Sequence, residues 1–161
     1  GNRGLKQALH RLWPGVAHQR CTVHKQRNVV SAAPRHCHAA IRTDFQAIVY
    51  APTLEAAQAA HGRFVTTWRK RAPRAVASVL EAQADLLTFH AFPPSQHRSL
   101  RSTNVIERLN EEFRRRIKTQ TACPSEASVL VLFYALLASG TVRMQKITGW
   151  MDLPRPTRRA A

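Results

Sequence analysis

A mainly helical fold with one short β-strand is what this sequence predicts, and three observations carry that reading. Apolar residues recur three and four positions apart along most of the chain, the period of an amphipathic helix. Breakers at Trp13-Pro14-Gly15, Tyr50-Ala51-Pro52 and Phe92-Pro93-Pro94 cut that pattern into helix-sized lengths. Only Val16 to Val23 gathers strand-favouring residues, namely Val16, Cys21, Thr22 and Val23. With 161 residues, 44% of them hydrophobic, the chain has enough apolar surface for one sizeable core and is not a disordered tail.

Taken in order, Gly4 to Leu12 reads as a short amphipathic helix with Leu5, Ala8, Leu9 and Leu12 on one side. The Pro-Gly turn ends it and the strand follows. Lys25 to Ala33 is expected to be helical. From Arg35 to Phe89 the chain is almost entirely helical: Ile41, Phe45, Ile48 and Val49 form one face. Thr53 caps a helix whose face is Leu54, Ala57, His61, Phe64, Val65 and Trp68, and Pro73 starts a further segment bearing Val76, Val79 and Leu80. A helix over Asn104 to Lys118 carries Ile106, Leu109, Phe113 and Ile117 as one apolar stripe. After a loop at Thr119 to Ala122, Pro124-Ser125-Glu126 opens a last helix. Val129, Leu130, Leu132, Phe133, Leu136 and Leu137 cover so much of its circumference that deep packing is expected. The end of the chain, from 151 to 161, is a basic, Pro-rich tail expected to be disordered.

Lys and Arg number 25 against 9 acids, a net charge of +16, which calls for a polyanionic partner, most simply nucleic acid. Charge alone does not separate DNA from RNA, or binding from chemistry. Cys21, Cys37 and Cys123 are too few and too scattered for a disulfide framework and fit a reducing compartment. No apolar run reaches the ~18 residues that a membrane span needs. Cys21-Thr-Val-His24 is a Cys-x2-His pair, with His36, Cys37 and His38 further on. Their spacing makes a zinc site conceivable but weak beside the plainer reading of a small buried thiol and a hydrogen-bonded histidine.

The stretch Arg98 to Lys118 carries the most chemistry. Glu107 stands in the first turn of a helix whose other faces hold Arg108, Arg114, Arg115, Arg116 and Lys118, next to a loop from Arg101 to Asn104. A carboxylate amid guanidinium groups suits a metal-dependent enzyme acting on a phosphodiester: the acid holds a divalent cation and the arginines hold phosphate. Asn104 and Glu107 also form a capping-box pattern, with Asn104 at N-cap and Glu107 at N3, which needs no catalysis at all.

Four segments together resemble the C-terminal part of bacterial Mutator-type insertion-sequence transposases. They are Gly1-Asn-Arg-Gly-Leu-Lys-Gln-Ala-Leu9, Gln19-Arg-Cys-Thr-Val-His-Lys-Gln-Arg-Asn28, Phe89-His-Ala-Phe-Pro93 and His97-Arg-Ser-Leu-Arg-Ser-Thr-Asn-Val-Ile-Glu-Arg108. The resemblance implies a ribonuclease-H-like core with an Asp-Asp-Glu triad that uses Mg2+ to cleave a phosphodiester at an element end and join it to target DNA. It implies a remnant of that core over 1–34, a helical insertion over 35–95 and C-terminal core helices over 96–150. On the same basis Glu107 is the third acid and metal ligand, and Cys21 and His24 match a motif near the active site. Arg101, Asn104 and Arg108 contact DNA backbone or organise the loop. The positions where the family carries its first two aspartates have no counterpart in this chain, and Arg98 stands where many members have Trp. The expectation is therefore a transposase fragment, inactive by itself and without tight Mg2+ binding, in the cytoplasm with the nucleoid, homo-oligomeric only as part of a full-length enzyme. A basic helical DNA- or RNA-binding module without catalysis is the competing reading.

Overall fold

The computed structural model describes residues 3–118, 125–142 and 146–153. Cys123, the loop expected at Thr119 to Ala122 and the tail from 154 onward lie outside the described residues. The described residues form helices α1 (Arg3–Leu12), α2 (Thr22–Ser31), α3 (His38–Val49), α4 (Leu54–Trp68), α5 (Pro73–Glu81), α6 (Gln83–Leu87), α7 (His97–Leu100), α8 (Asn104–Ile117) and α9 (Glu126–Ala138), with short 3-10 turns between some of them. No helix among them is long and apolar enough to cross a membrane.

Local chemistry explains most of the boundaries. Gly15 ends the turn after α1 at φ +85°, a conformation that only glycine adopts without strain. The Thr53 hydroxyl accepts the amide of Ala56 at 3.2 Å and starts α4, and Pro73 opens α5 at a position where its missing N–H costs nothing. Ser125 caps α9 by accepting the amide of Ser128.

The core is helix on helix. α3 packs on α4, and α2 packs on both α3 and α5. Phe45, Phe64, Ile41, Ile48, Val29, Val79, Cys37 and Leu86 are fully buried within one cluster, so the end of α2 and the helices from α3 to α6 share a single apolar interior. Trp68 donates its indole N–H to Asp44 at 2.8 Å, tying α4 to α3. Lys25 is 2% exposed and reaches Glu81 at 2.6 Å, which keeps its buried ammonium paired.

Two expectations are corrected. No strand occurs among the described residues: Val16 to Cys21 runs irregularly and Thr22 already begins α2. A strand needs a neighbouring strand, and this segment instead bonds to the end of α5 and to α6 and the turn after it. The Arg20 amide donates to the Asp85 carbonyl, Gln19 brackets the Leu86 carbonyl and the Phe89 amide, and the Thr88 hydroxyl donates to the His18 carbonyl. Deep burial of α9 is not found either: Leu130, Val131 and Tyr134 are 62%, 67% and 75% exposed. Of the α8 stripe only Phe113 is buried, stacked on Phe133 of α9 with ring centroids 4.2 Å apart, while Ile106 stays exposed. Both helices read as core helices in sequence, but nothing among the described residues covers their outer faces. Trp150–Asp152 forms a single 3-10 turn where the segment expected as a tail begins.

Candidate functional site

Two motifs that lie far apart in sequence meet at the start of α8. The Arg101 carbonyl accepts both the amide and the hydroxyl of Thr22, each at 2.8 Å, which pins the loop before α8 onto the first turn of α2. The Arg101 side chain fastens the same loop from the other side. Its Nε donates to the His97 carbonyl at 3.2 Å and its Nη1 to the Val49 carbonyl at 3.0 Å, and the guanidinium lies 4.6 Å over the Tyr50 ring and 5.6 Å over Phe89. Charged hydrogen bonds and a stacked aromatic hold that arginine as an organiser of the loop.

The result is a corner made of Cys21, His24, Thr103 and Glu107. Cys21 is the N-cap of α2, with the imidazole Nδ1 of His24 3.2 Å from its sulfur. The Thr103 hydroxyl donates to Glu107 Oε1 at 2.8 Å and also lies 3.4 Å from the Cys21 sulfur. The Nε2 of His24 is 3.4 Å from Glu107 Oε1. Partial burial raises the Cys21 thiol, but the main chain and ring of His24 and the hydroxyl and main chain of Thr103 outweigh it and carry the thiol down to about 7. Donors around sulfur favour the thiolate over the thiol, as at other helix N-termini.

This geometry displaces the capping-box pattern. α8 begins at Asn104, so Thr103 occupies the N-cap position, without a side-chain bond to the helix amides, and Glu107 lies one place beyond N3. The Glu107 carboxylate turns to a threonine hydroxyl and a histidine on another helix and remains 48% exposed. Thr103 is the member of the corner that sequence reading did not single out. Its place four residues before Glu107 was the available signal, since i and i+4 share a helix face.

The other expected site residues separate into two groups. Asn104 and Arg108 line a cleft of about 670 Å³ on a neighbouring face of α8. Arg114, Arg115 and Lys118 are exposed further along the helix, Arg115 lying 3.2 Å from Glu112. Arg116 is committed elsewhere, to Glu112 at 2.5 Å and to the Thr141 carbonyl at 2.9 Å, where it ties α8 to the turn after α9.

Metal chemistry has little to work with in these residues. Cys37 sits in the apolar cluster and His38 bonds the Ala33 carbonyl at 3.0 Å, so the second cysteine–histidine group is part of the fold. Among the described residues no group of three or more His, Cys, Asp or Glu side chains, the Cys21–His24–Glu107 corner included, has the arrangement that could hold a metal ion. The described acids outside α8 serve structure or lie elsewhere: Asp44 holds Trp68, Glu81 holds Lys25 and Arg20, and Asp85 holds Lys6 and His18. Glu107 therefore offers one carboxylate beside a nitrogen and a sulfur donor. A hard cation such as Mg2+ takes several oxygen ligands, so these residues alone do not fit it.

Comparison with known proteins identifies the family. The family model described as "Transposase, Mutator family" matches residues 1–146. The transposase for insertion sequence element IS905 of Lactococcus lactis is 36% identical over 80% of this chain and 33% of its own length. The transposase for IST2 of Acidithiobacillus ferrooxidans is 32% identical over 89% of this chain and 48% of its own. The transposase for ISRM5 of Rhizobium meliloti is 35% identical over 94% of this chain and 37% of its own. The chain thus spans between about a third and a half of the length of these curated relatives. With a family match over nearly its whole length and relatives at 32–36% identity over most of it, the chain belongs to the Mutator family of transposases.

Proposed function

We propose that this chain forms part of a transposase that cuts and joins DNA at insertion-sequence ends, and that Glu107 is its contribution to the catalytic carboxylates. The observation that carries the reading is the exposed Glu107 carboxylate at the opening of α8, turned toward the Cys21–His24 motif on another helix and standing next to the arginine-bearing faces of its own. A carboxylate that only capped its helix would have no reason to be met by a second motif some eighty residues distant in sequence.

In this reading the further oxygen ligands for Mg2+ come from a longer transposase chain arranged on a ribonuclease-H-like sheet, against which α8 and α9 lay their apolar faces. By itself the chain binds DNA without cleaving it. Arg108, Arg114, Arg115 and Lys118, with Asn104, face the phosphates, while Arg101 and Arg116 act through the loop and the turn that they anchor. The net charge of +16 supports a polyanionic partner.

The test has two parts. The purified chain is expected to bind DNA with an affinity that falls linearly on a log–log plot against salt, because each neutralised phosphate releases counterions. A longer chain carrying the upstream part of the family is expected to cleave DNA with Mg2+ and to lose that cleavage in Glu107→Gln. Cleavage that survives Glu107→Gln removes Glu107 from the catalytic set. A strong preference for structured RNA over DNA would favour a binding module instead.

A further inference from the structure

The cleft beside α8 has a composition that simple contact with duplex backbone does not explain. At about 670 Å³ it falls within the range of small-molecule sites and is far larger than a single phosphate oxygen cluster needs. Its lining has two characters. Val105, Leu109, Val142 and Ile147 supply apolar surface, and Arg98, Arg108 and Lys146 supply positive charge. Ser102, Thr141 and Thr148 add hydroxyls to the lining, and the one acid among the described lining residues, Glu112, has its charge met by Arg115 and Arg116. Apolar side chains, cationic side chains and hydroxyls in one cleft match one chemical object: a nucleotide, with a base to be taken out of water and a phosphate to be neutralised.

The walls are built to hold this shape. On one side stand α7 and the first turns of α8. On the other, residues 146–148 are held by the Ser99 hydroxyl, which donates to the Thr148 carbonyl at 3.0 Å. The next residue, Gly149, has φ +78°, and a Cβ there would fall 2.6 Å from the Ser95 carbonyl oxygen, so only glycine lets this wall come so close to the start of α7. Ser95 and Asp152 are hydrogen-bonded just beyond it. Lys146 is steadied over the Trp150 ring, its Nζ 3.9 Å from the centroid.

We propose that this cleft takes up one unpaired nucleotide of the DNA strand that α8 binds, with the base against Val105, Leu109 and Ile147 and its phosphate between Arg98 and Lys146. The proposal rests on the DNA-binding reading above. Arg108, which lines the cleft, follows Glu107 directly, so the two lie about 100° apart around α8. A strand with one nucleotide in the cleft would pass its next phosphodiester across the helix start toward Glu107. The described lining residues include no aromatic side chain and hold the base by apolar contact, so recognition is of an unpaired nucleotide rather than of a particular base.

The experiment measures fluorescence anisotropy of the purified chain with a blunt duplex and with the same duplex bearing a short single-stranded thymidine overhang. The overhang is expected to bind about tenfold more tightly, the scale of removing part of one base's apolar surface from water. Val105→Trp, on an accessible wall, fills the cleft and is expected to abolish that preference while leaving blunt-duplex affinity within about twofold. Lys146→Ala is expected to lower overhang binding and to reduce its salt slope by about 1. Circular dichroism of each variant confirms that the helices persist. Equal affinity for the two duplexes, or a preference that survives Val105→Trp, overturns the cleft and leaves DNA binding standing. Absence of binding to either duplex overturns both readings.

Discussion

Thr103 has one hydroxyl proton and two neighbours that can take it. When it donates to Glu107, at 2.8 Å, the Cys21 sulfur keeps only His24 and the Thr103 main chain; when it turns to sulfur, the carboxylate loses its hydroxyl donor. The thiol and the carboxylate are thereby linked through a single side chain. Alkylation of Cys21 by iodoacetamide is expected to follow a thiolate midpoint near 7. Thr103→Ala is expected to raise that midpoint by roughly 0.5–1 pH unit, toward the ordinary thiol range, because a donor to the thiolate is gone. An unmoved midpoint in Thr103→Ala would show that the hydroxyl has no part in it and that His24 and the main chain set it. Glu81 gives a second prediction at this scale. The hydrogen bond from Lys25 holds its carboxyl below the usual carboxylate range, with Arg20 adding to the effect. A depressed folded value means that the unfolded chain binds the proton first, so the stabilisation is complete above the unfolded pKa of about 4.3 and is lost as pH falls through the folded value. Glu81→Gln is expected to cost about 2 kcal/mol at pH 7, below the ~3–5 of a fully buried pair because Glu81 is itself half exposed, and to flatten the loss of stability in urea melts below pH 5. Cys21, His24 and Glu107 were legible as motif residues. Thr103 was not, because its part exists only once residues 21 and 107 are neighbours.

Helices were the most legible level, and each carried its own instructions. Thr53, Pro73 and Ser125 stand where caps and helix starts are needed, and the structure uses all three. Thr53→Ala is expected to cost about 1 kcal/mol, seen as a lowered thermal midpoint, since one first-turn amide of α4 loses its acceptor. The segment Val16 to Cys21 misled for an equally local reason. Strand-favouring composition describes what a residue can do beside a strand, and the residues next to this segment are the helical turns from Asp85 to Phe89. Between α8 and α9 the stacked pair Phe113 and Phe133 is the main apolar link. Phe113→Ala is expected to cost roughly 2–3 kcal/mol, less than a deep-core phenylalanine because Phe133 is only half-buried, and to free α9 for rapid hydrogen exchange while α3 and α4 keep their protection.

Across the whole molecule, burial is uneven. The cluster from Val29 to Leu86 is dry, whereas α9, almost wholly apolar in sequence, shows Leu130, Val131 and Tyr134 to solvent. A contiguous apolar face of this kind binds hydrophobic dyes or other surfaces. The purified chain is expected to enhance anilinonaphthalene sulfonate fluorescence, and Val131→Glu with Tyr134→Glu is expected to remove most of that signal without lowering the thermal midpoint. A lower midpoint would mean that this face is packed after all.

By itself the sequence determined most of the helices, the caps at Thr53 and Ser125, the charge and the family, because propensity, capping and motif identity depend on residues a few positions apart. Only the tertiary structure decided which apolar faces are buried and which motif residues meet. Both depend on pairs distant along the chain, such as Thr22 with Arg101 and Cys21 with Thr103, whose approach is fixed by the packing of α2 and the anchoring of Arg101 rather than by any local preference.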